Sequence, residues 1–276
     1  MYIIIVAILV IILLLYMRIE ASFLRKSLIN FSNSSKGLKI AHLSDIHINM
    51  LYVSTQRLLA MLLQINPDIV IMSGDYIETQ KNIPKFIELL KEISKHYPVY
   101  LSFGNHDHKA LNYNKEKTAS FINNLQDTGA TVLLNSNIRI NKNNTSYNII
   151  GIDDLKHGKP NLEKAFKGIS PSIKNGGINI VFSHNPDIVL SLPKEKVDYF
   201  LCGHFHGGQI WMPFNLEFKI MRKEKLCKMG YCKGLHRING INMYINRGLG
   251  NVIFPFRFFS PPEVAVIQLP TNNPIE

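Results

Sequence analysis

The chain has 276 residues, 46% of them hydrophobic, and a formal net charge of +11 from 31 Lys+Arg against 20 Asp+Glu. That length and apolar content exclude wholesale disorder and allow one large domain or two small ones. The positive balance favours anionic partners such as phospholipid head groups, nucleic acid or phosphorylated substrates, and three cysteines (Cys202, Cys227 and Cys232) make no disulfide framework.

Residues Met1 to Met17 carry no charge and no Gly, Pro, Asn or Ser, and Ile3 to Leu15 is almost purely Ile, Val and Leu. A membrane span takes about 17–25 residues, so residues 1–17 read as a short transmembrane anchor. A cleaved signal peptide is the rival; it needs a charged start and small residues before the cut. Here the start is uncharged and Ile19-Glu20-Ala21 is a poor cleavage site. Arg18, Arg25 and Lys26 follow the run and no basic side chain precedes it. The expectation is a single pass through the inner (cytoplasmic) membrane with the body on the cytoplasmic side. Unpaired cysteines agree. Residues 18–37 read as a juxtamembrane linker, 38–270 as the folded domain and 271–276 as a tail.

Within the domain, short apolar runs bounded by turn residues predict buried strands at Leu38–Leu43, Asp68–Met72, Val99–Phe103, Ile178–Phe182 and Tyr199–Cys202. Thr55–Ile65 predicts a helix that stops before Asn66-Pro67, and Pro84–Lys95 a helix with an apolar face and proline in its first turn. Lys115–Gln126 is a further helix candidate. Val132–Ile140 and Tyr147–Ile152 flank Asn141-Lys142-Asn143-Asn144 and predict a hairpin. Ile241–Asn246 and Val264–Leu269 predict further strands. The order argues for one α/β domain with some antiparallel strands.

The predicted strand ends carry the chemistry. Five of them end on Asp, His or Asn: Asp45-x-His47, Gly74-Asp75, Gly104-Asn105-His106-Asp107, His184, and Gly203-His204-x-His206 followed by Gly207-Gly208-Gln209. Loops at the C-terminal ends of strands are where α/β proteins bind ligands, and mixed imidazole and carboxylate sets hold transition metals. Each piece alone is an ordinary turn; the ordered series is specific.

With these motifs in order, the chain resembles the calcineurin-like metallophosphoesterases, and within them the bacterial membrane-associated phosphodiesterases that end in Gly-His-x-His-Gly-Gly-Gln. The resemblance spans about residues 38–270 and includes Asn246-Arg247-Gly248-Leu249-Gly250 and Pro261-Pro262-Glu263. It implies a two-sheet sandwich flanked by helices, behind the N-terminal transmembrane helix. It implies one metal ion on Asp45, His47, Asp75 and His206, and a second on Asp75, Asn105, His184 and His204, with Asp75 bridging. It implies His106 as the catalytic histidine near the leaving group and Asp107 as the residue that orients it. Many relatives read Gly-Asp-x-x-Asp where this chain has Glu78, which alters local hydrogen bonding. The donor set suits manganese, iron or zinc, two divalent ions per chain, without choosing among them.

Outside the motifs, His42 reads as a packed core histidine, His108 as a possible substrate contact, and Asp153-Asp154 as a strand end that only looks like a metal pair. Ile253 to Phe259 is an aromatic stretch that either packs in the core or forms an apolar patch, rimmed by Arg257, for acyl chains or a bilayer. The basic run Lys219–Lys233 either meets anionic lipid or is a solvated loop. The leading function is metal-dependent hydrolysis of a phosphodiester or pyrophosphate in a lipid-linked substrate at the membrane. Some relatives cleave the pyrophosphate of UDP-diacylglucosamine in lipid A synthesis. The alternatives are a phosphodiesterase or phosphatase on soluble nucleotides or phosphoproteins, and a non-catalytic metal-binding interaction module. No nucleic-acid clamp is evident.

Overall fold

Apolar side chains that alternate along nearly every central strand demand partners on both faces, and the computed structural model meets that demand with two stacked sheets. It describes residues 1–32, 35–171 and 177–271. In the first sheet the order is β1 (Arg25–Asn30), β12 (Glu263–Gln268), β2 (Lys39–Leu43), β3 (Ile69–Met72), β4 (Val99–Leu101) and β5 (Thr131–Val132). In the second it is β10 (Gly234–Ile238), β11 (Ile241–Ile245), β9 (Tyr199–Cys202), β8 (Gly177–Phe182), β7 (Thr145–Gly151) and β6 (Ser136–Lys142). β2 to β5 run parallel, as do β7, β8, β9 and β11. Their C-terminal ends therefore lie along one edge of each sheet.

Strand periodicity sorts the core into three layers. Ile40, Ile69, Ile71, Ile149, Ile180, Phe182 and Leu201 fill the space between the sheets. The intervening residues Ala41, Leu43, Val70 and Met72 point the other way, toward helices α2 (Thr55–Ile65), α3 (Ile83–Ser94) and α5 (Lys115–Gln126). Val181, Phe200 and Cys202 do the same on the outer face of the second sheet. Local signals set the helix ends: the Ser54 side chain accepts from Arg57 N–H, and α2 stops at left-handed Asn66 before Pro67. The hairpin of β6 and β7 turns on Asn143 and Asn144, both with positive φ, as a tight two-residue turn requires.

Two boundaries differ from expectation, and a third lies outside the described residues. The stretch read as one strand from Val132 is two: β5 ends at Val132 in the first sheet and β6 starts the second. Residues 18–37 are not a linker throughout. Helix α1 (Tyr2–Glu20) runs past the anchor's expected end at residue 17, and β1 pairs with β12 in parallel. The expected tail from 271 lies outside the described residues after Thr271. Among the described residues, α1 is the one helix long and apolar enough to cross a membrane, and nearly all of it faces away from the protein.

Its C-terminal end is fastened to the body. Met17 O accepts from Arg257 N–H at 3.0 Å, and the Glu20 carboxylate accepts from Phe259 N–H at 3.1 Å and Ser260 N–H at 2.9 Å. Arg18 stacks 3.6 Å over Tyr52. Of the two readings of residues 253–259, Arg257 follows the packed one: it is fully buried and rims no patch. Its guanidinium donates to the carbonyls of Arg247, Gly248, Gly250 and Ser260 and to Asn251 Oδ1. Burial lowers its pKa to about 10, which still leaves it charged. Arg257→Met would strand those acceptors. The expected loss is about 3 kcal/mol, or roughly 6–12 °C in Tm for a domain of this size, read by calorimetry.

Candidate metal centre

The parallel strands deliver the motif residues to one place. Asp45 and His47 follow β2, Asp75 follows β3, and Asn105 and His106 open helix α4 (Asn105–Ala110) after β4. His184 follows β8, and His204 and His206 follow β9. Each sheet supplies one side of the centre. Asp45, His47, Asp75, His204 and His206 all have positive φ. For a non-glycine residue this backbone costs about 1–2 kcal/mol, a strain typical of functional sites. Two glycines allow the loops to close in. A Cβ on Gly104 would lie 2.1 Å from Asp75 Oδ1, and one on Gly203 would lie 1.8 Å from Ser44 Oγ.

Among the described residues three groups of donor atoms result, each within 4.8 Å: Asp45 with His47 and His206, Asp75 with His184 and His204, and a less buried third that joins His47 to Glu78 and His106. Asp75 faces the first two. Its Oδ2 is 3.0 Å from His184 Nε2 and 3.7 Å from His47 Nε2, while Oδ1 accepts from His106 N–H at 2.8 Å. The outer ring nitrogens of three histidines are taken: His47 Nδ1 by Glu78, His184 Nδ1 by Ser73 O at 3.0 Å, and His204 Nε2 by Glu224 at 3.1 Å. Such partners fix the tautomer and turn the inner nitrogen's lone pair toward the centre. The inner nitrogens His204 Nδ1 and His184 Nε2 then stand 3.0 Å apart. His47 Nε2 and Asn105 Oδ1 are buried with no partner. Converging lone pairs and orphaned acceptors are what a cation would satisfy, so the residues fit divalent metal.

Charge states agree. Burial alone would raise the Asp45 and Asp75 pKa values, but the neighbouring histidines outweigh it and hold both low. Burial keeps His206 down at about 4, neutral and able to ligate. Burial also disfavours the His184 cation, yet Asp75 lifts that group to about 10; a metal ion held there would displace this proton.

Asp107 needs correction. It does not orient His106. Its carboxylate accepts from the N–H groups of Asp75, Tyr76, Ile77 and Gly104, at 2.8, 2.8, 3.2 and 2.9 Å, and braces the turn that carries Asp75. Adjacent helical residues point to different sides. The partner of the His106 ring is Glu78, whose Oε2 is 2.8 Å from Nδ1. The extra methylene at this departure from Gly-Asp-x-x-Asp lets one carboxylate hold both His47 and His106. His108 is committed to Asp153 at 2.7 Å, and His42 is buried against Ser73 at 2.9 Å. Asp153 and Asp154 bind backbone amides of their own turn.

Sequence reading missed Glu224, an acid inside a basic run with no motif to mark it. It also missed that Arg222, Lys223 and Lys156 line the cleft, of about 330 Å³, above the donors. Arg222 donates to His204 O at 2.9 Å. The basic run therefore serves the site at Arg222 and Lys223.

A family model described as calcineurin-like phosphoesterase matches residues 38–208. The chain belongs to that family. Among curated relatives, the metallophosphoesterase YkoQ of Bacillus subtilis is 34% identical over 85% of this chain and 84% of its own length. The phosphodiesterase YaeI of Escherichia coli is 28% identical, over 89% and 87%. The UDP-2,3-diacylglucosamine pyrophosphatase LpxG of Chlamydia trachomatis is 25% identical, over 91% and 90%. Membership of the calcineurin-like phosphoesterases makes the chain a hydrolase of phosphate esters, and its two mixed sheets with flanking helices are the fold expected for them.

The Asp107 brace is testable. Asp107→Ala leaves those backbone donors unpaired in a buried turn, so stability should fall by about 2–3 kcal/mol or more. Urea unfolding measures it, and an unchanged midpoint would contradict the assignment.

Proposed function

We propose that this protein uses two divalent metal ions to hydrolyse a phosphodiester or pyrophosphate bond in a lipid-linked substrate at the membrane. The observation that carries the two-ion reading is Asp75 Oδ2, which faces one donor group through His184 and the other through His47. One ion would sit on Asp45, His47, Asp75 and His206, the other on Asp75, Asn105, His184 and His204. Bound there, the ions supply Lewis-acid activation of water and charge stabilisation for phosphoryl oxygens. Lys156, Arg222 and Lys223 draw the anionic substrate into the cleft. His106, half-buried at its mouth, gives a proton to the leaving oxygen. Burial works against its charged form, but Glu78 and Asp75 outweigh this and raise its pKa. Glu78 itself is held down at about 2 and stays anionic.

The lipid part rests on α1, on its fastening to the body and on exposed Phe254 and Phe259. The flanking Arg18, Arg25 and Lys26 support a cytoplasmic body on the inner membrane. The name of the chlamydial relative makes the pyrophosphate of UDP-diacylglucosamine one candidate substrate.

Purified protein with manganese should hydrolyse bis-p-nitrophenyl phosphate. Removing the proton donor by His106→Ala should cost about 10²- to 10⁴-fold in kcat, and Asp75→Ala should abolish turnover and ion binding together. Full activity in both variants would remove the mechanism. In a panel of phosphodiesters assayed in detergent, acylated substrates should outpace soluble nucleotides; equal rates would defeat the lipid reading.

The pH profile provides a separate check. Protonated His106 is the active form, so kcat should fall as pH rises through its raised pKa. Glu78→Gln removes the carboxylate charge that holds the proton on, and should move this basic limb to lower pH. A limb that stays put would count against His106 as the donor.

A further inference from the structure

A second hollow of about 330 Å³ lies beside the metal cleft. Phe205, Met212 and Phe218 line it, with Ile253 and Phe254 at its rim. The two hollows share His206, Arg222 and Val252. A ligand with its phosphate in the first therefore has its next atoms at the entrance of the second. The rim is open, with Ile253 70% and Phe254 55% exposed. Ring contacts join the neighbouring loops to the membrane helix. Trp211 meets Phe259 edge-on at 5.9 Å, Phe259 packs on Phe258 at 4.4 Å, and Phe258 meets Tyr16 at 6.0 Å.

Two features mark a built site. Gln209 spends its whole amide on the rim. Its Nε2 donates to Val252 O and Phe254 O, each at 3.0 Å, and its Oε1 accepts from Val252 N–H at 2.8 Å. The turn so held includes Ile253 at φ 65°, a left-handed backbone that a β-branched residue adopts only under constraint. The second feature is Glu217, which lines the hollow and is 3% exposed. Its Oε2 accepts from Met212 N–H at 3.1 Å, and its Oε1 has no partner. A buried acceptor left unpaired is costly, and a ligand that donates to it recovers the cost.

We propose that this hollow takes an acyl chain of a membrane lipid whose phosphate sits at the metal centre, with Glu217 accepting a hydrogen bond from a hydroxyl or amide N–H near the head of the chain. The assignment rests on the lipid-linked reading above. Apolar walls complement the chain, the loops beside the hollow reach α1 through Trp211, Phe259 and Phe258, and Arg222, on the shared wall, complements the phosphate. Gln209 acts as a positioning residue for the rim.

The test uses full-length protein in detergent with manganese and p-nitrophenyl alkyl phosphodiesters from methyl to dodecyl. A parallel series carries a hydroxyl on the third chain carbon. In the unsubstituted protein kcat/KM should rise at least about tenfold along the series, since one buried methylene is worth up to about fourfold. The hydroxylated chains should run about tenfold ahead at equal length, as pairing a buried, otherwise unpartnered acceptor allows. Ile253→Asp and Phe254→Asp, made separately, should each flatten the slope, and Glu217→Ala should erase the hydroxyl preference. A flat slope in the unsubstituted protein sinks the lipid reading itself. A steep slope that the rim variants retain overturns the hollow as the chain site and leaves the lipid reading standing. A missing hydroxyl preference, or one untouched by Glu217→Ala, removes the role of that carboxylate. Should Ile253→Asp fail to fold, Phe254→Asp on the exposed rim carries the comparison.

Discussion

Asp75 brings a negative charge to a place where only 2% of its surface meets solvent. Water would normally stabilise such a charge, and burial alone would push the carboxyl toward its neutral form. Here the compensation comes from both halves of the fold. His106 N–H and the His47 ring come from loops of the first sheet, and the His184 ring from the second. No strand of one sheet pairs with a strand of the other among the described residues. Apolar packing holds the sheets face to face, and at their common edge Asp75 joins them through His184 while Asp45 joins them through the His204 amide and the His206 ring. The neighbouring elements are arranged to keep Asp75 there: Gly104 has no side chain to displace it, and Asp107 braces its backbone.

The donor arrangement is unfavourable without a cation. Three histidines have their outer nitrogens committed, so their inner nitrogens crowd together, and His184 carries a proton beside Asp75 where a metal ion would take that proton's place. Five positive-φ residues add backbone strain. Both costs fall on loops, while the strands beneath are buried on both faces and rigid. The fold thus separates its tasks. Close-packed β2, β3, β8 and β9 supply stability, and the loops at their ends hold the geometry that chemistry needs.

How legible this was in the sequence depended on distance along the chain. Strands such as Ile69–Met72 and Tyr199–Cys202 stand out because burial on both faces requires unbroken apolar runs. The motif residues stand out because each lies within a few positions of such a run. β1 does not, because Arg25-Lys26-Ser27 at an edge has the polar look of a linker. Asp107 was misread for the opposite reason. It is next to His106 in sequence, yet a helix turns the two side chains apart, and three of its four partners are amides some thirty residues away. Glu224 bonds His204 from twenty positions down the chain, and no local pattern encodes that meeting. Arg257 among phenylalanines looks like a surface cation. Only the loop wrapped around it, with carbonyls converging from residues 247 to 260, makes it an interior one.

That loop also bears on how a membrane helix relates to a metal site. Glu20, the last residue of α1, holds the backbone N–H of Ser260. The Ser260 hydroxyl in turn lies 3.0 Å from His206 O and 3.2 Å from Gly207 O. One serine therefore separates the end of α1 from the loop that carries a candidate metal ligand. Were residues 18–37 a flexible tether throughout, the cleft would take every orientation to α1. Instead β1 pairs into the first sheet and Glu20 holds the helix end to the loop, so α1 and the cleft keep one fixed relation. Loss of the Glu20 carboxylate would leave the Phe259 and Ser260 amides without their acceptor, beside the loop that positions His206. Helix α1 is thus part of the architecture that positions the site.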